Sequence, residues 1–173
     1  VVDVQVGVMA DAWDAERVID NVARTVERAR AAGVPVVWVQ HSSDDELPFG
    51  SASWEWVPEL HPGDGEPVVD KRYNSSFEET SLDEVLAGLG ATHIVLAGAA
   101  TNWCIRATAY GALERGFDLT LVGDAHTTAS MDLDDGTVIE AARVVDELNE
   151  CIQWVSYPNR TNTVVAVDAL TFR

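Results

Sequence analysis

His93-Ile94-Val95-Leu96-Ala97-Gly98-Ala99-Ala100-Thr101-Asn102-Trp103-Cys104 begins as an apolar run and breaks into small residues before a helix-compatible segment takes over. Residues 93–97 read as a strand, 98–102 as a turn and 104–114 as a helix. The same alternation extends in both directions. Residues 1–4 predict a strand. Residues 14–32 predict a helix with Val18, Val22, Val26 and Ala29 on one face and Gly33 as its stop. Residues 35–39 and 67–69 predict further strands, and Ser81 with Glu84 forms a capping-box pattern ahead of Val85, Leu86 and Leu89, closed by Gly90. Strand 118–122, helix 137–150 and strand 164–167 finish the series. Alternation of this kind calls for a mostly parallel sheet, because right-handed crossovers place helices on both of its faces. The expected fold is α/β, a three-layer α/β/α sandwich, formed as one domain over residues 1–173.

The chain has 173 residues, a net charge of −18 and 47% hydrophobic residues. That charge repels nucleic acid and anionic membranes before any specific contact forms, so a small-molecule substrate is the expected partner. No apolar run approaches the ~20 residues of a membrane span. No basic segment followed by an apolar one opens the chain, and the two cysteines, Cys104 and Cys151, show no CxxC pairing. A reducing cytoplasm suits both. The clusters Asp44-Asp45-Glu46 and 132–135 read as solvated surface. Ten Arg against a single Lys, in so acidic a chain, fit either a high-salt cytoplasm or a GC-rich genome.

In a parallel sheet, ligands bind beyond the carboxyl ends of the strands. Asp3 ends the first strand, Lys71 follows the third, and Cys104 follows the turn after the fourth. All three are therefore expected at one edge. A carboxylate in a central strand is rarely tolerated without a partner, and Lys71 is the only lysine. A lone cysteine beside apolar residues is usually a small core residue; together with a cation and a helix N-terminus, Cys104 gains a route to the thiolate, and a lowered pKa is expected. Asp3 would accept the thiol proton, with Lys71 holding Asp3 ionised.

Asp3-Val4-Gln5, Lys71 ahead of Tyr73 and Ser76-Phe77, and the stretch from Gly98 to Cys104 occur in an order that resembles the isochorismatase-like cysteine hydrolases. The resemblance continues through Thr108-Ala109-Tyr110-Gly111-Ala112, Gly116-Phe117 and Asp124-Ala125. It implies a Rossmann-like, isochorismatase-like hydrolase fold and an Asp3, Lys71, Cys104 triad. It also implies a cis peptide at Ala99-Ala100, and backbone N–H groups of Ala100 and Cys104 as the oxyanion hole. The implied chemistry is attack on an amide, imide or ureido carbonyl, without an obligatory cofactor, in a homo-oligomer.

One branch of that family binds a metal through Asp-x-His and a second His. Here the region reads Gln40-His41-Ser42-Ser43-Asp44, so the spacing is missing, and His41, Asp44 and His61 form only a weak metal set. No metal site is expected, and His41 is read as a pocket residue. Trp13, Trp54, Tyr73, Phe77 and Trp103 join His41 as candidates for substrate contact. Trp54 and Trp56, within the long loop 41–66, suit either a pocket wall or loop packing. His93 and His126 carry little functional signal, although His126 falls on the active edge. Two other readings are a vinyl-ether hydrolase of isochorismatase type, disfavoured by the cysteine, and a non-catalytic flavodoxin-like binding module, for which no nucleotide motif speaks.

Overall fold

In the computed structural model, which describes residues 1–172, the strand order is β2 (Val68–Lys71), β1 (Trp38–His41), the N-terminal segment, β3 (His93–Ala99), β4 (Asp118–Thr127) and β7 (Asn162–Val165). Every strand pairing in this order is parallel. Arg173, the last residue of the expected domain, lies outside the described residues. The N-terminal segment is bridged at Val2 to Val39 on one side and Gly98 on the other, with Val2 N–H donating to Ala97 O at 3.0 Å and Asp3 N–H to Val39 O at 2.9 Å. It is a central sheet position held by few bridges rather than the full strand expected over residues 1–4.

Apolar side chains leave the sheet in both directions. Leu96 and Leu121 face α3 (Leu82–Gly88), α4 (Arg106–Glu114) and α5 (Ala141–Trp154). Ala97 and Val122 face α2 (Ala15–Ala31) and the C-terminal segment. The three layers follow from that division. On α2, Val18, Val22 and Val26 are buried at a spacing of four, each contributing roughly 1.5–3 kcal/mol of transfer free energy. Beyond it, Gly33 takes a φ of 69° and Val34 N–H reaches back to Ala29 O, so the expected stop is a Schellman turn.

Several bounds shift from expectation: β1 begins at Trp38 rather than 35, β4 runs on to Thr127 rather than 122, β7 spans Asn162–Val165 rather than 164–167, and α4 begins at Arg106 rather than 104; two helix starts differ in how they are capped. The Ser81 side chain makes no capping bond; Thr80 Oγ1 instead accepts from Leu82 N–H at 3.2 Å, so the capping box is not formed. The last long helix starts at Ala141 rather than 137, because β6 (Val138–Ile139) pairs antiparallel with β5 (Met131–Asp132). Ser130 Oγ then accepts the Ala141 N–H, supplying the cap from that hairpin. No described helix is long and apolar enough to cross a membrane.

Candidate active site

Asp3, His41, Lys71 and Cys104 come from four separate segments, and the parallel sheet brings them to its carboxyl edge. His41 and Lys71 are register partners at the ends of β1 and β2. Asp3 sits where the N-terminal segment leaves the sheet, with a φ of 51°, a left-handed conformation that Asp tolerates better than most residues. Cys104 lies in a π-helical turn, Thr101–Ile105, between β3 and α4. The peptide Ala99-Ala100 at the start of that turn is cis, as the resemblance implies. Gly98 permits the approach: a Cβ there would fall 2.0 Å from Val2 O.

The Lys71 ammonium is the hub. Its Nζ lies 2.7 Å from Asp3 Oδ2 as an ion pair, and it donates to Cys104 Sγ at 3.1 Å, to Tyr73 O at 3.1 Å and to His41 Nδ1 at 2.9 Å. Asp3 is 1% exposed, Lys71 2% and Cys104 8%, so the charges meet out of water. Apart from Lys71, the Asp3 carboxylate has no conventional hydrogen-bond partner among the described residues. It remains open to a proton from sulfur. Because a lysine ammonium can only donate, His41 Nδ1 accepts and the proton of the neutral ring resides on Nε2.

The expectation of an acidified thiol is not met. Burial and the facing Asp3 carboxylate push the Cys104 thiol up to about 12, outweighing Lys71. Burial likewise raises the Asp3 pKa against the pull of Lys71, and burial with Lys71 lowers that of His41. The cause is a matter of net charge. One ammonium balances one anion, and a second anion in the same dry pocket is disfavoured. A proton shift from Sγ to Asp3, by contrast, leaves the cluster's charge unchanged.

His41 is joined to its surroundings by Gln5, fully buried, whose side chain accepts from His41 N–H at 2.9 Å and donates to His41 O at 3.0 Å. Gln5 Nε2 also reaches Trp54 O at 2.7 Å, and Gln40 Nε2 reaches the same oxygen at 2.9 Å. These two glutamines, whose side chains are given no role in the sequence analysis, pin the long loop over the site. An opening of 230 Å³ beside Lys71 is lined by Ser42, Phe49, Asp70, Arg72, Tyr73 and Glu79. Phe49 packs on Trp54 with ring centroids 4.6 Å apart. A second cavity, 240 Å³ and mainly apolar, lies toward the amino ends of the strands and is lined by Val36, Val37 and Ile94 among others; no member of the triad lines it.

Of the candidate contact residues, Tyr73 borders the opening and is 49% exposed, and Trp103 is 54% exposed beside Cys104. Trp13 is 40% exposed; its backbone N–H donates to Thr128 O just beyond β4. Trp54 reaches the site region through the loop, its indole N–H buried without a partner among the described residues. Phe77 does not belong with them. It is 5% exposed in the core, stacked on Phe117 and covered by Arg115, because apolar burial under α4 takes its ring away from the sheet edge. Trp56 packs edge-on against Trp38 in the core facing α2, which settles its two readings in favour of loop packing.

Asp3, His41 and Cys104 place potential metal-ligand atoms within 4.8 Å of one another. Lys71 Nζ already contacts all three, so a cation would have to displace the ammonium. His41, Asp44 and His61 do not cluster among the described residues; Asp44 pairs with Arg72 instead.

A parallel α/β/α sheet thus gathers a buried carboxylate, ammonium and thiol at its carboxyl edge. The chain belongs to the isochorismatase family: the Isochorismatase domain model matches residues 1–154. It is 36% identical to a streptothricin hydrolase of Streptomyces noursei over 135 residues, 74% of this chain and 53% of that protein. It is 31% identical to a ureidoacrylate amidohydrolase of Klebsiella pneumoniae over 137 residues, 61% of this chain and 56% of that protein. The chain thus spans about half the length of the curated relatives it matches. An isochorismatase structure from Pseudomonas putida superposes with a TM-score of 0.87 at 25% identity, covering 99% of this chain and 88% of that one.

Proposed function

We propose that the protein is a cysteine hydrolase that cleaves a C–N bond of a small amide, imide or ureide. The observation that carries this reading is Lys71 Nζ, buried between Asp3 Oδ2 at 2.7 Å and Cys104 Sγ at 3.1 Å. The Cys104 proton passes to Asp3 as Sγ attacks the carbonyl carbon, with Lys71 holding the developing thiolate. The N–H groups of Ala100 and Cys104 receive the oxyanion. Collapse breaks the C–N bond, and the leaving nitrogen takes the proton from Asp3. Water then attacks the thioester, gives a proton to Asp3 and releases the acid, and the thiol is restored. Relatives named as a streptothricin hydrolase and a ureidoacrylate amidohydrolase support the C–N reading.

In this reading Tyr73, Trp103, Trp13, Trp54 and the Nε2–H of His41 contact the substrate, no cofactor is required, and the domain works in the cytoplasm as a homo-oligomer. The test is turnover of an amide, ureide and vinyl-ether panel with Cys104→Ala as the blank, paired with mass spectrometry for an acyl adduct on Cys104. Amide or ureide turnover that vanishes in the blank supports the proposal. Vinyl-ether turnover that survives in the blank overturns it.

A further inference from the structure

One buried imidazole at the carboxyl end of β4 takes no part in this chemistry. His126 is 1% exposed, its Nε2 lies 3.0 Å from Asn149 Oδ1 on α5, and its Nδ1 lies 2.9 Å from Thr101 Oγ1. The Asn149 amide has a determined orientation, since its Nδ2 donates to Gly123 O at 3.0 Å and leaves Oδ1 for the ring. A carbonyl oxygen only accepts, so His126 Nε2 carries a proton. Burial holds the ring neutral, with a pKa lowered to about 4 despite the Asn149 bond and the nearby Asp124 charge. A neutral ring protonated on Nε2 has a bare Nδ1. Thr101 must therefore donate its hydroxyl proton to it.

The result is a chain with one direction, from the Thr101 hydroxyl through His126 and Asn149 to the Gly123 carbonyl. Its end is shaped to fit: a Cβ on Gly123 would lie 2.6 Å from Val164 Cγ1 and 3.1 Å from Asn149 Oδ1. Its beginning matters more. Thr101, fully buried, is the first residue of the π-helical turn that carries Cys104, and its own carbonyl accepts the Arg106 N–H that starts α4.

We propose that His126 is a positioning residue for the nucleophile, an imidazole locked in its Nε2–H form by Asn149 so that Nδ1 anchors Thr101 and fixes the turn presenting Cys104 Sγ to Lys71. A buried histidine satisfied for its own sake could pair with any neighbour. This one ties α5 and β4 to the turn on which the thiol depends. The consequence for rate rests on the hydrolase reading, whereas the tautomer and the rigidity of the turn do not.

Three measurements test it, two of them without a substrate. Nitrogen-15 spectra of histidine-labelled protein near neutral pH should show His126 protonated at Nε2 and bare at Nδ1; a proton on Nδ1 would overturn the proposal. Thr101→Val should speed amide hydrogen exchange within residues 101–105 about tenfold, the loss of roughly one hydrogen bond, with the rest of the sheet unchanged. Thr101→Ser, which keeps the donor, should restore protection. On any substrate the wild type turns over, Thr101→Val should lower kcat at least about tenfold with KM little changed, and Thr101→Ser should recover it. Wild-type exchange in Thr101→Val, or equal losses in the Val and Ser variants, would reject positioning through the hydroxyl. A wild type that turns over nothing would sink the hydrolase reading and leave the first two measurements to decide.

Discussion

At the scale of single residues, the site depends on matching one ammonium with one anion. Lys71→Arg preserves the charge but replaces a compact donor that meets Asp3, His41, Tyr73 O and Cys104 with a planar fork. The fork grips the carboxylate bidentately and draws it out of line with the thiol. A folded Lys71→Arg variant should lose at least about 10²-fold in kcat, and near wild-type turnover would remove Lys71 from the catalytic set. The raised thiol pKa leads to a second expectation. In the proposed mechanism the reactive form arises by moving a proton within the cluster, so alkylation of Cys104 by iodoacetamide should be nearly flat between about pH 6 and 8. Cys151, partly exposed and bonded to Glu147, should react faster by about tenfold per pH unit. Equal slopes for the two cysteines, read by peptide mapping, would refute internal proton transfer.

At the scale of elements, the long loop is fastened by Glu66. Its carboxylate takes Arg30 at 2.7 and 2.8 Å, the Trp38 indole N–H at 2.6 Å and Gly63 N–H at 2.7 Å, and these partners hold its pKa down at about 2. Glu66→Ala leaves the indole N–H of a buried tryptophan without an acceptor and should cost about 2–3 kcal/mol in urea denaturation. A cost under about 0.5 kcal/mol would show that the loop is held mainly by Gln5 and Gln40. The helices on both faces were legible because their apolar spacing is local, as on α2. The hairpin of β5 and β6 was not. Its two-residue strands carry no periodicity, and pairing across a turn decides where α5 begins.

For the whole molecule, the buried neutral His126 links stability to pH. Its folded pKa of about 4 lies below the 6.5 of an unperturbed imidazole, so the unfolded chain binds the proton first. Its contribution is full above about pH 6.5 and declines as pH falls toward 4, by on the order of 3 kcal/mol. His126→Gln should flatten that decline in denaturation curves, and an unchanged slope would show that other groups govern it. The net charge of −18 bears on assembly. Light scattering at moderate salt, where self-repulsion is screened, should show the proposed oligomer, and a stable monomer there would refute it. Dialysis against a chelator should leave turnover unchanged; loss restored by zinc would mean that a cation can take the place of Lys71 among Asp3, His41 and Cys104.

The sequence by itself determined the layers and the edge of the site. Strand–helix alternation requires a parallel sheet, and a parallel sheet sends the residue after each strand to the same edge, so Asp3, Lys71 and Cys104 could be grouped without any distance. Tertiary structure decided what surrounds them. Whether Phe77 faces substrate or core depends on the fit of Phe117 and Arg115 against it, and whether Cys104 rests as thiol or thiolate depends on how much water and how many charges the pocket admits. The partners of the His41 and His126 ring nitrogens lie 23 to 30 residues away in the chain, on elements whose packing no local pattern encodes. A hydrogen bond's direction also needs each partner's other bonds to be known, and those exist only once the chain has closed around them.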